Sequence, residues 1–126
     1  MSFLNKIFSS DKIPQEPKRE IPWKQLTSVS KLDEIIETSK TKPVAIFKHS
    51  TRCGISRMVL KQFERDYNAG EEVVDLYYLD LLSYRFVSDE VAARFQVWHQ
   101  SPQLLIIQNG KCVNHASHSE ISSIQF

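Results

Sequence analysis

The chain has 126 residues, with 16 Lys and Arg against 15 Asp and Glu, 41% apolar residues and two cysteines. That is room for one domain, large enough to bury a core without disulfides or a structural metal, and its balanced charge argues against nucleic acid as a partner. No apolar run nears the roughly 20 residues that cross a bilayer, Met1–Phe8 is too short and polar for a secretory signal, and two cysteines make no secreted disulfide framework; the expected compartment is a reducing cytoplasm, with no membrane partner.

In chain order, residues 1–22 read as an extended or mobile leader, broken by Pro14, Pro17 and Pro22, with one helical turn's spacing in Phe3, Leu4, Ile7 and Phe8. A single domain is expected over 23–126. Ser30 and Asp33 give a capping-box signal before Leu32, Ile35 and Ile36, predicting a helix over 31–40. Val44-Ala45-Ile46-Phe47, ending in Lys48-His49, reads as a strand buried on both faces. Ile55, Val59, Phe63 and Tyr67 form an i, i+4 row that predicts a helix over 54–69, stopped by Gly70. Val73–Leu79 is a second inner strand by its β-branched and aromatic content.

Ser88 is placed to cap a short helix over 89–95, and Leu104–Ile107 reads as a third strand. Asn109-Gly110 signals a tight hairpin to residues 111–116, and Ser119-Glu120 opens a last short helix. This order implies an α/β fold: a mixed central sheet of about four strands with helices on both faces. Ligands of such sheets collect at the carboxyl ends of parallel strands. Cys53 follows one of those ends.

Cys53-Gly54-Ile55-Ser56 lies between a buried strand and the N-terminus of the strongest helix. A helix N-terminus stabilises the thiolate, the reactive form of cysteine. Arg52 precedes the sulfur, and Lys48, His49 and Arg57 are close, so a working thiol is favoured over buried filler. Lys48 and His49 read either as solvated strand-end residues or as groups that poise the thiolate. Ser56 stands where a dithiol oxidoreductase has its second cysteine, its hydroxyl able to face the sulfur across the first turn. A lone thiol can still accept half of a mixed disulfide and pass it to a small-molecule thiol.

Cys112, in the hairpin strand, reads as packing filler. Arg57, Lys61 and Arg65 form a basic row that is usually a solvated face; its first members are also candidates to attract an anionic thiol. His99, His115 and His118 lack metal-ligand spacing with the cysteines, so no metal site is expected. Ser101-Pro102, a proline opening an inner strand after the loop Trp98–Ser101, is a candidate cis peptide.

Phe47-Lys48-His49-Ser50-Thr51-Arg52-Cys53-Gly54-Ile55-Ser56, together with Ser101-Pro102-Gln103, resembles the YtxJ family of monothiol bacilliredoxins, over about Trp23 to the C-terminus. Arg52 and Gly54 stand where members often have Thr and Pro. The resemblance implies a thioredoxin-like fold, with Pro102 as a cis proline facing Cys53. It also implies removal of bacillithiol from S-thiolated cytosolic proteins, with Cys53 attacking. No bound cofactor is implied; bacillithiol, which carries a malate group, or another small thiol would be co-substrate, and the basic residues around the site would suit it. Two other classes are carried. Cys-Gly-Ile-Ser is similar to the site of monothiol glutaredoxins that hold a [2Fe–2S] cluster, although Gln108-Asn109-Gly110-Lys111 lacks their Gly-Gly and acidic motif. The other is a non-catalytic thioredoxin-like adaptor, binding through the leader and the cleft around Pro102.

Overall fold

The structure, a computed structural model, describes residues 20–126; the leader residues Phe3, Leu4, Ile7 and Phe8 lie outside that range. Its elements are β1 (Trp23–Gln25), α1 (Val29–Thr38), β2 (Val44–His49), α2 (Gly54–Asp66), β3 (Asp75–Asp80), α3 (Arg85–Phe95), β4 (Gln103–Gln108), β5 (Lys111–Ser117) and a closing 3-10 helix (His118–Ser123). They build one sheet in the order β1-β3-β2-β4-β5. β3 runs parallel to β1 and β2, whereas β4 is antiparallel to both β2 and β5. No described helix is long and apolar enough to cross a membrane.

The apolar run of β2 follows from its central place: all six residues are buried. Alternate side chains go to opposite layers. Val44 and Ile46 pack with Leu32 and Ile35 of α1 and Val87, Val91 and Phe95 of α3. Ala45 and Phe47 pack with Phe63 of α2, Tyr67 beyond its end and Ile121 of the 3-10 helix. The helices therefore lie on both faces, α1 and α3 on one, α2 and the 3-10 helix on the other.

The sheet has five strands rather than about four. The extra one, β1, is a three-residue edge strand with two exposed residues, too short to show a period. It is anchored by Trp23, whose indole N–H donates to Glu64 Oε2 (2.7 Å) and whose ring meets Phe47, Phe63 and Tyr78. Ile21, just before it, already packs on the α2-side core.

Helix boundaries move where burial outweighs capping. α1 starts at Val29 behind an extended Ser28, and Ser30 meets only the Ser28 hydroxyl (3.0 Å), so the expected capping box does not form. α2 ends at Asp66, before Gly70: Tyr67 leaves the helix in extended geometry and stacks its buried ring on Phe63 and Phe126. Within the expected α2 row, Ile55 is exposed and only the later members reach the core. α3 begins at Arg85 rather than after Ser88, which is buried inside the helix. The turn before it is held by Asp80, which accepts from the Leu82 and Ser83 N–H groups and the Ser83 hydroxyl. The hairpin turn is as expected: Asn109 and Gly110 both take positive φ, 51° and 75°.

Candidate active site

β2 delivers the chain to the rim of the sheet at His49, and a tight turn carries it into α2. The Cys53 N–H donates to Ser50 O (3.2 Å), and its carbonyl accepts the Arg57 N–H (3.1 Å). Cys53 is thus the N-cap residue of a 13-residue helix, with extended backbone geometry and a half-buried free thiol. Unpaired N–H groups and the positive dipole end favour negative charge at such a place. Gly54 is exposed, and a Cβ there would meet nothing within 4 Å, so this flank is open.

Ser56 is fully buried. Its oxygen accepts the Ser50 N–H (3.1 Å) and shares a hydrogen bond with His49 Nδ1 (2.7 Å). The buried imidazole and the turn N–H both need a partner, and Ser56 serves them. Burial, with Arg57 adding to it and Asp80 opposing it, holds the His49 pKa below its ordinary 6.5, so the ring is neutral at pH 7.

Lys48 is not solvated either. It is completely buried on the opposite face of β2, where its amine donates to Ser88 O and His99 Nδ1, both at 3.3 Å. The Ser88 hydroxyl reaches the same His99 nitrogen at 3.3 Å. Burial pulls the Lys48 pKa down to about 8, with Asp89 opposing it, and burial and then Lys48 pull His99 down. These contacts tie the Trp98–Ser101 loop to α3.

The Ser101-Pro102 peptide is cis. Lys48 pairs with Gln103, the first residue of β4, so the cis peptide immediately precedes the strand that pairs with the end of β2 leading into the Cys53 turn. Pro102 is buried, and its carbonyl accepts the His118 N–H (3.0 Å). Trp98, on the same loop, is 90% exposed.

Arg52 and Arg57 face solvent. Arg57 Nη1 donates to Thr51 O (3.2 Å), whereas Arg52 has no hydrogen bond or ion pair among the described residues. Cys53, with its chain neighbours Arg52, Gly54 and Arg57, thus follows the end of β2, and Ser101-Pro102 precedes β4, which pairs with β2 at that same end. His49 and Ser56 are buried, and Lys48 lies behind the sheet.

The model of the family described as monothiol bacilliredoxin BrxC matches residues 24–126. The chain belongs to the monothiol bacilliredoxin family. A solved protein described as a candidate oxidoreductase with a thioredoxin fold shares 33% identity, with a TM-score of 0.68, covering 79% of this chain and 86% of that one. The thioredoxins of Malassezia sympodialis (22% identity, TM-score 0.66, 86% and 89% covered) and Fasciola hepatica (20%, 0.62, 79% and 90%) share the fold. The fold is thioredoxin-like, and bacilliredoxin membership together with that fold supports a thiol redox function.

For this bacilliredoxin, Cys112 is badly placed to complete the chemistry. It pairs with Ile107, which pairs with Val44, at the end of β2 away from Cys53. Four residues of strand separate Ile107 from Gln103, about 13 Å of rise, while a disulfide needs Cα atoms within about 7 Å. Burial also raises the Cys112 pKa, which disfavours its thiolate. Sequence reasoning missed Ser88 and His99 as partners of Lys48 behind the sheet, and Leu82 and Ser83 as the lining opposite Arg52. Leu82 and Ser83 were marked only by following a strand and His99 by preceding Pro102, while Ser88 had no such signal; the contacts follow from topology.

Proposed function

We propose that this protein is a monothiol disulfide oxidoreductase that removes a low-molecular-weight thiol, bacillithiol in its family's chemistry, from S-thiolated proteins of a reducing cytosol. The Cys53 thiolate attacks the small-thiol sulfur of a protein mixed disulfide. A Cys53–small-thiol disulfide forms, and the protein sulfur leaves as thiolate and takes a proton from solvent. A second small thiolate then attacks that adduct, forming the symmetric small disulfide and restoring Cys53. No electrons are gained or lost overall in either exchange; they are redistributed among sulfurs.

The observation that carries this reading is the placement of one thiol at a helix start with Ser56, buried and doubly bonded, in the position of a resolving cysteine. Resolution must then come from outside the chain. The cis Ser101-Pro102 peptide supports it, since it immediately precedes β4, the strand paired with the end of β2 that leads to Cys53.

The test is release of bacillithiol from an S-thiolated protein, with bacillithiol added as the resolving thiol. Cys53→Ser is expected to abolish release, and Cys112→Ser to keep it within twofold of wild type. Release that survives in Cys53→Ser would remove the proposal.

A further inference from the structure

Four basic residues lie close to Cys53 in sequence, and burial sorts them. Lys48 is spent on Ser88 and His99 behind the sheet. His49 is buried and bound to Ser56. Only Arg52 and Arg57 present charge to a visitor, and Arg57 is partly engaged by the Thr51 carbonyl.

Arg52 lines an open cleft of about 410 Å³ with Thr51, Leu82 and Ser83, between the Cys53 turn and the turn that follows β3. The carboxylate that holds this turn, Asp80, is occupied by the Leu82 and Ser83 N–H groups and the Ser83 hydroxyl. Arg52, which has no hydrogen bond or ion pair among the described residues, therefore keeps its charge for a visitor to this cleft. Thr51 adds a hydroxyl with no recorded partner among the described residues.

The other flank of the thiol is different. Ile55 and Met58, 61% and 71% exposed, are neighbours on α2, and Met58 lines a groove with Val59, Gln62 and Ser119 beside the 3-10 helix. The cleft beside Arg52 carries a cation, whereas Ile55 and Met58 present exposed apolar side chains. A mixed disulfide also has two unlike halves, a small charged thiol and a polypeptide.

We infer that the cleft between Thr51-Arg52 and Leu82-Ser83 receives the anionic end of the small thiol, with Arg52 selecting for its carboxylates, while the polypeptide half lies on the Ile55–Met58 side. This rests on the function proposed above. Arg52 adjoins Cys53 in the chain, their Cα atoms about 3.8 Å apart, so a carboxylate a few bonds from the attacked sulfur can reach the guanidinium. A planar guanidinium binds a carboxylate through two parallel N–H bonds.

The experiment measures second-order rates of adduct formation at Cys53 by quenched-flow mass spectrometry. The probes are the symmetric disulfides of mercaptosuccinate, which carries two carboxylates, and of neutral 2-mercaptoethanol. In each reaction the Cys53 thiolate displaces one thiolate from the probe, so any change in the nucleophile itself cancels from the ratio of the two rates. Arg52→Gln is expected to lower the mercaptosuccinate-to-mercaptoethanol ratio at least fivefold. Lys61→Gln, which removes one positive charge from α2 outside the cleft, is expected to keep the ratio within twofold. A smaller fall in Arg52→Gln, or an equal fall in Lys61→Gln, overturns the cleft while leaving Cys53 chemistry standing. If neither probe modifies wild-type Cys53, the exchange reaction fails and takes the cleft with it.

Discussion

Buried in the first turn of α2, the Ser56 hydroxyl joins a turn N–H to an imidazole and so fixes the segment that carries the thiol. Removing it leaves the Ser50 N–H and His49 Nδ1 unpaired in a dry place, a loss of about 1–3 kcal/mol. Ser56→Ala is therefore expected to lower the urea midpoint without changing the slope of the transition. Lys48 makes a prediction of opposite sign. Its pKa falls from 10.5 in the unfolded reference to about 8 in the folded state, so between those values the unfolded chain holds the extra proton. Its contribution to stability then rises with pH from about 8 to 10.5. Lys48→Met is expected to flatten that part of the stability curve relative to wild type and to be relatively more stable at pH 7 than at pH 10. An unchanged difference across pH 7–10 would mean that Lys48 is no more costly to charge when folded than when unfolded.

The elements were legible where periodicity and turn chemistry agree. β2 and β4 announce themselves as apolar runs because each has two neighbouring strands and a helical layer on both sides. Asn109-Gly110 specified the hairpin because few residues tolerate two consecutive positive φ values. Gly110→Ala is accordingly expected to cost about 1 kcal/mol, measurable by chemical denaturation, chiefly from its φ of 75° since an added Cβ meets only Ile36 Cγ2 at 3.4 Å. Helix starts were less legible. Ser30 and Ser88 carry capping side chains, but α1 already starts at Val29 and α3 at Arg85, so that Val29 and Val87 can pack on the core from within their first turns. β1 stayed hidden because three residues at an edge display no alternation.

At the scale of the whole molecule, two packed layers clamp the sheet and leave its rim to chemistry. Leu105, fully buried among β2, α1 and α3 residues, belongs to the layer that holds β4 and hence Pro102 in place. Leu105→Ala is expected to destabilise by about 2–5 kcal/mol, read from the denaturation midpoint. The site was legible as far as it is contiguous in sequence: Arg52, Cys53, Gly54 and Arg57 follow one strand end into one helix start, whereas Pro102 was legible only as a proline opening β4, the strand that pairs with that end of β2. Leu82 and Ser83 come to Arg52, and Ser88 and His99 to Lys48 behind the sheet, only through sheet order, which local patterns do not encode.

The central claim is that a single sulfur receives the small thiol and cannot close a bond within its own chain. It is tested most directly by mixing the wild-type protein with an S-bacillithiolated protein, with no free thiol present, and mapping the products by peptide mass spectrometry. The account predicts one bacillithiol per chain, disulfide-linked to the Cys53 peptide, with Cys112 reduced. A Cys53–Cys112 disulfide, or bacillithiol found on Cys112 instead, would contradict it.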